Sequence, residues 1–399
     1  MTPAGSGRAW LVVAGGVAAA VHVGKLPPAL PVLRETLGLS LVEAGFLLSL
    51  VQFAGMTLGL IVGLAADRLG LKRTMVAGLA VTGLASLAGG FATTPAALLG
   101  LRALEGLGFL LASMPAPGLI RRLVPPGRMS AMLGVWGAYM PFATALALLG
   151  GPAWMAWAGW PGWWWLLGGL SLVMAAALAR RLPRDPETAV AGRGAWASRV
   201  RKTLAAPGPW LVAFAFGVYS AQWLAVIGFL PSIYLAAGIS LSTAAAATAF
   251  AAAVNILGNL AAGRLLQRGV PAPSLLAAGY LTMGIASVLA FSDALPESGA
   301  GPLFRYLAVL AFSAVGGVIP GTLFSLAVRL APAEDTVSTT VGWMQQWSAL
   351  GQFLGPPAVA WVAARVGGWQ WSWLVTSGCA GLGLLLAAWA ARTRETRSH

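Results

Sequence analysis

The chain is poor in the side chains that perform most chemistry. Its 399 residues include one cysteine, Cys379, and two histidines, His22 and His399. A single thiol forms neither an intrachain disulfide nor a thiolate metal cluster. Two histidines so far apart exclude the H-E-x-x-H zinc pattern. No G-x-x-x-x-G-K-[ST] occurs, because Gly24-Lys25 is followed by Leu26, so no recognisable P-loop couples ATP to work. No nucleophile–base or metal constellation is evident, so neither an enzyme nor a cofactor is expected. Charge is scarce as well. Only 9% of the residues are charged, against about a quarter in a soluble domain, while 58% are hydrophobic. That balance belongs in a bilayer.

The net charge of +14 does not point to nucleic acid, because its distribution follows topology. Arg8, Arg68, Lys72, Arg73, Arg121, Arg122 and most later arginines fall in loops or tails of one side. Only Arg34, Arg305 and Arg365 fall on the other side. Cytoplasmic loops carry such an excess, which puts both termini in the cytoplasm of a multi-pass protein of the cytoplasmic membrane. A span needs about 20 apolar residues. Twelve stretches qualify: 10–33, 41–62, 74–93, 97–120, 130–151, 163–180, 210–235, 243–262, 273–292, 303–328, 337–362 and 373–391. The first resembles a cleavable signal peptide as far as Ala20 but continues past it.

The first stretch also has a partner later in the chain. At an offset of 200, Leu30-Pro31 recurs as Leu230-Pro231, Gly38 as Gly238, Ser40-Leu41 as Ser240-Leu241, Gly63 as Gly263 and Arg68 as Arg268. The expected fold is all-α, with twelve transmembrane helices in two six-helix pseudo-repeats. The expected units are 1–180 and 210–399, joined by a basic linker at 181–209.

Between the second and third stretches lies Gly63-Leu-Ala-Ala-Asp67-Arg68-Leu-Gly70-Leu-Lys72-Arg73. The pattern G-x-x-x-D-R-x-G-x-K-R closely resembles the signature loop of major facilitator superfamily (MFS) transporters. The resemblance implies a secondary transporter with rocker-switch alternating access, in which Gly63, Asp67, Arg68, Gly70, Lys72 and Arg73 gate the cytoplasmic side. Asp67, Arg68 and Arg73 would close it near the start of span eleven. In the second copy Gln267 replaces Asp67 and Gly269 follows Arg268 directly, so a gate at Arg268 is weaker or differently shaped. Arg102-x-x-x-Gly106-x-Gly108 resembles a span-four motif whose arginine the family links to proton coupling. A clean G-P-x-x-G-G, the exporter signature, is missing from span five, which favours uptake. Leu26-Pro27-x-x-Leu30-Pro31 and Leu350-Gly351-Gln352-x-x-Gly355-Pro356 look similar to the cyanate-permease-like branch, which implies uptake of a small anion or polar solute. The rival reading is an MFS exporter of lipophilic or cationic compounds. A monomer is expected, with bilayer lipid and a small-molecule substrate as partners and a proton as co-transported ion.

Charged side chains within spans are expensive and mark either function or a structural pair. Counting about 1.5 Å per residue, His22 falls near the midplane, and Lys25, Arg102 and Glu105 lie at a similar outer-half depth. His22 and Lys25 share a helix face, as do Arg102 and Glu105. In one reading Lys25, Arg102 and His22 form a cationic pocket for an anionic substrate, tempered by Glu105. In the other, Lys25 or Arg102 pairs with Glu105 and pins span one to span four. His22, Arg102 and Glu105 are the candidates for carrying the proton. Neutral polar residues complete a candidate substrate site: Tyr139, Tyr219, Gln222, Asn255, Gln345 and Gln346. Trp154, Trp157, Trp160, Trp163, Trp164 and Trp165, and later Trp369, Trp371 and Trp373, read as interfacial anchors.

The loop reading carries its own test. Asp67→Asn is expected to slow turnover while substrate binding persists; unchanged uptake by a well-expressed variant would argue against the gate.

Overall fold

Inside a bilayer, backbone polar groups have no water to bond, so a chain this apolar must satisfy them within helices. In the computed structural model every regular element among the described residues is helical. The structure describes residues 4–125, 132, 135–185, 195–296 and 298–395, and all their side chains except those of 4–6, 63–68, 195 and 393–395.

The first span consists of α1, Ala4–Gly24, and α2, Leu26–Leu37, which meet at Lys25. Pro27 and Pro28 sit in the first turn of α2, where a missing N–H is tolerated. Lys25 itself keeps helical angles and donates its N–H to Val21 O at 2.8 Å, so the join is a bend rather than an unwound stretch. Gly38 ends α2 at φ 66°. Ser40 then opens α3, Leu41–Ser49, with a capping box: its Oγ accepts from Glu43 N, and the Glu43 carboxylate accepts from Ser40 N. The same turn recurs 200 residues later, with Gly238 at φ 82° and Ser240 Oγ accepting from Thr243 N.

A 3-10 turn at Leu50–Gln52 leads to α4, Phe53–Leu69. There follow α5, Leu71–Gly89, α6, Pro95–Ser113, and α7, Ala116–Leu123. The helix α8 runs from Tyr139 to Arg181, but Gly159, at φ 68° and ψ 174°, divides it. At about 1.5 Å per residue, 43 residues in line would be twice the thickness of a hydrocarbon core of about 30 Å. After the short basic helix α9, Ala195–Ala205, come α10, Pro207–Ala236, α11, Leu241–Gln267, and α12, Ala272–Phe291. The last helices are α13, Gly301–Gly316, α14, Val318–Leu330, α15, Val337–Val366, and α16, Trp373–Glu395. Among the described residues nine helical segments are long and apolar enough to cross a membrane, with α8 counted once. Beyond them, α5 and α15 pack as full-length helices beside the rest.

The buried apolar side chains form two main clusters, one built chiefly from residues 9–182 and one chiefly from 211–390. Two seams join them: α8 against α11, and α3 with α4 against α15. Along the second seam Gly45 faces Pro356 and Pro357, and Gly55 faces Ala349. The most extensive contact between two helices is that of α10 with α15. There Gly351 and Gly355, four residues apart, lie directly on the backbone carbonyls of Gly217 and Ala221.

The tryptophans divide in a way composition does not foretell. Trp157 is 79% exposed, as suits an anchor at the membrane interface, and Trp165 and Trp371 are also exposed. Trp160, Trp163 and Trp164 are buried in the first cluster instead, because Gly159 turns the chain back and points them inward.

Gly355→Leu is expected to lower the melting temperature of the detergent-solubilised protein, since overpacking costs about 1–3 kcal/mol or more where backbone must move. Gly378, with nothing near its absent Cβ, is the control site, and Gly378→Ala should melt like the wild type.

Candidate functional site

Four charged or titratable side chains meet inside the first bundle, each no more than 1% exposed. Lys25 Nζ lies 2.5 Å from Glu105 Oε1, and Arg102 Nη1 lies 2.7 Å from Glu105 Oε2, so both carboxylate oxygens are occupied. Arg102 also donates from Nη1 to His22 O and from Nε to Leu47 O, tying α6 to α1 and α3. Its Nη2 is buried and has no partner. Lys25 donates further to Ser86 Oγ at 3.0 Å and sits 4.3 Å from the centroid of Trp164.

The remaining contacts assign the histidine tautomer. Lys25 Nζ lies 3.3 Å from His22 Nδ1, and an ammonium only donates, so Nδ1 is an acceptor. His22 Nε2 then carries the hydrogen and donates to Ser171 Oγ at 2.8 Å, whose hydroxyl passes on to Ala18 O. Ser86 likewise donates to Trp164 O. With His22 neutral, the cluster holds two cations and one carboxylate, a net charge of +1.

The other expected site residues are dispersed. Asn255 Nδ2 donates to Tyr219 OH at 3.0 Å and to Ser313 O at 2.8 Å, joining α11, α10 and α13. Tyr139 stacks on Trp136, with centroids 4.2 Å apart. Gln222 turns back onto Val218 O of its own helix and leaves Oε1 buried without a partner. Gln345 is half-buried on α15. Gln346 crosses the seam between the bundles. It accepts from Leu60 N at 3.0 Å and donates to Met56 O at 2.8 Å, the two groups that pair with each other in a regular helix. Four residues before Met56 is Gln52, on the 3-10 turn, which donates to Gln352 Oε1 at 2.9 Å.

The signature loop is anchored at its far end. Gly70 takes φ 92°, which brings the start of α5 onto Asp185. One Asp185 oxygen accepts from Lys72 N and the other from Arg73 N, at 3.0 and 3.1 Å. A carboxylate there suits the positive end of the helix dipole. Lys72 Nζ donates to Leu182 O, and Arg122 approaches Asp185 at 3.6 Å. Gly63, Asp67 and Arg68 lie on α4 but outside the described side chains. Arg268 is an exposed cap of α11, followed by Gly269 at φ 86°.

A model of the Major Facilitator Superfamily matches residues 12–356. The chain belongs to the major facilitator superfamily. It is 29% identical over 384 residues to the 4-hydroxybenzoate transporter PcaK of Pseudomonas aeruginosa, covering 86% of this chain and 82% of that one. It is 26% identical over 394 residues to the 2-nitroimidazole transporter of Escherichia coli, covering 93% and 91%. Among solved structures, a bacterial homologue of the human lysosomal transporter Spinster, inward-facing and occupied, aligns over 98% of both chains with a TM-score of 0.80 at 17% identity, a likeness of fold. This MFS protein is thus a multi-pass membrane transporter and not an enzyme.

Sequence reasoning found the four members of the cluster but missed their neutral partners. Ser86, Ser171 and Trp164 stand among many similar residues in apolar helices, and no spacing singles them out. Asp185, by contrast, left a signal: it is one of few carboxylates and sits where the linker begins.

Glu105→Gln leaves Lys25 and Arg102 without their counter-charge. Breaking such a buried group is expected to lower stability by about 3–5 kcal/mol, and Lys25→Met added to Glu105→Gln should restore part of the loss. Thermal unfolding of the single and double variants in detergent reads both effects.

Proposed function

We propose that this transporter takes up small aromatic acids, binding the acid group through Arg102. The observation that carries the reading is the unpartnered Nη2 of Arg102, a buried guanidinium donor in a cluster with one positive charge in excess. A guanidinium presents its donors as a planar fork, which matches a planar group with two oxygens. The two relatives above are named for 4-hydroxybenzoate and 2-nitroimidazole. Each is a single ring bearing such a group, a carboxylate or a nitro group. Tyr139, Tyr219, Asn255 and Gln345 are then candidates to contact the ring and its substituents, as neutral donors and apolar faces.

The membrane arrangement that goes with this reading has twelve spans, with Gly159 separating the fifth from the sixth and both termini in the cytoplasm. It is supported by the one-sided placement of the basic residues. The moving halves are 1–180 and 210–399, and the basic linker 181–209 joins them. Alternating access then rocks one bundle against the other along the two seams. Gln346 is poised to act as a clasp, because separating α4 from α15 releases its amide and lets Met56 O and Leu60 N pair with each other. The gate at Asp67 and Arg68 acts further along α4, while Asp185, near the start of the linker, holds the start of α5.

The test is a thermal-shift screen of the purified protein. A ligand that binds only the folded state raises the melting temperature according to its concentration over Kd. Stabilisation by 4-hydroxybenzoate and benzoate, abolished in Arg102→Met, is the expected result. Stabilisation by tetraphenylphosphonium instead would overturn the reading and make export of lipophilic cations the better account.

A further inference from the structure

We infer that Gln52 and Gln352 select the aromatic acid by a hydroxyl on its ring, at the end away from the acid group. The inference rests on the aromatic-acid reading and adds to it the residues that choose among such acids.

Gln52 begins a chain of side-chain hydrogen bonds that crosses the seam between the bundles. Its Nε2 donates to Gln352 Oε1 at 2.9 Å, and Gln352 Nε2 donates to Ser348 Oγ at 3.3 Å. The hydroxyls of Ser348 and Ser220 then share a bond of 2.7 Å. Gln52 stands near the middle of the second span, Ser220 near the middle of α10, and Ser348 and Gln352 near the middle of α15. The chain therefore lies close to mid-depth, where the bundles meet. The 3-10 turn between α3 and α4 places Gln52 there, and such a turn within a helix often marks a functional position.

The chain leaves hydrogen-bonding capacity unused. Two side-chain amides can pair through two N–H···O bonds, and these form one. Gln352 Nε2 gives a hydrogen to Ser348 rather than to Gln52 Oε1. Gln52 Oε1 is left as an acceptor and the second Gln352 Nε2 hydrogen as a donor, beside the same amide junction. Buried polar groups left unmatched are costly, so the arrangement favours a partner that completes both bonds. The pair is also not sealed: Gln52 keeps 4% exposure and Gln352 8%, whereas His22, Lys25 and Gln222 keep none.

That partner must accept one hydrogen and give one. A phenolic hydroxyl does both: its oxygen accepts from Gln352 Nε2, and its hydrogen goes to Gln52 Oε1. A carboxylate or nitro group only accepts, a methoxy group cannot donate, and a bare ring edge does neither. The separation from the acid end agrees. Arg102 Nε bonds Leu47 O, and Leu47 precedes Gln52 in the same span. At about 1.5–2 Å per residue the two positions are about 8 Å apart along the span, the reach of one benzene ring with a polar group at each end. Ser348 and Ser220 act as positioning residues, since their bonds hold the Gln352 amide in place.

The test is calorimetric binding of benzoate, 4-hydroxybenzoate and 4-methoxybenzoate to the purified carrier. The wild type is expected to bind 4-hydroxybenzoate about tenfold or more tighter than either of the others. In Gln52→Met and Gln352→Met, each of which removes one half of the open pair, that ratio should fall to about one. The ratio is taken within one protein, so a general loss of packing weakens every acid alike and leaves it unchanged. If one variant binds no acid at all, the other decides. Equal affinity of the wild type for 4-hydroxybenzoate and either competitor overturns the inference while the aromatic-acid reading stands. A preference that survives in either variant does the same. Binding of none of the three acids by the wild type overturns the aromatic-acid reading, and the inference with it.

Discussion

Glu105 is one carboxylate shared by two cations, and all three are buried to 1% exposure or less. Much of the first bundle is arranged around that constraint. Lys25 reaches it from the bend in the first span, Arg102 from one turn earlier on its own helix, and the guanidinium continues to the carbonyls of His22 and Leu47. Ser86 on α5 accepts from Lys25 and Ser171 on α8 meets His22, while Arg102 Nη2 is left without a partner. Five helices are thus tied by one charge group.

The second bundle is held differently. Its core has no comparable ion group among the described residues, and α10 and α15 approach through glycine rather than through charge. Gly351 and Gly355 allow the helices to touch backbone to backbone, while Asn255 bridges three helices with neutral bonds. The first bundle adds its charge group to glycine contacts of its own, such as Gly78 on Gly108 and Gly106 on Val51, whereas the second relies on glycine contacts and neutral bonds. Across the seam the contacts are of a third kind: glycine against proline or alanine, and the exchangeable amides of Gln52, Gln346 and Gln352.

The loop between α4 and α5 shows how function and packing share residues. Lys72 and Arg73 read as simple topological charges, yet their backbone N–H groups bind Asp185, and Gly70 lets that carboxylate approach. The anchor stands four residues after the end of α8. The start of α5 is thereby tied to the end of α8.

The all-helical membrane fold, the superfamily and the four charged or titratable residues of the cluster were all legible in the sequence. They rest on properties a chain displays locally: apolar length, the side on which arginines fall, a signature loop, and charges where none should be. The recurring Gly-x-Ser turns at Gly38 and Gly238 were legible for the same reason. Pairing is a different matter. A helix period says that His22 and Lys25 share a face, but not which helices that face meets. Only tertiary packing decided that Lys25 turns to Glu105, Ser86 and Trp164, that Trp163 and Trp164 are core while Trp157 is exposed, and that Gln346 enters the hydrogen-bond ladder of α4. Rotation of a helix by one residue turns its side chains through about 100°, and in a chain nearly uniform in hydropathy no sequence pattern sets that angle.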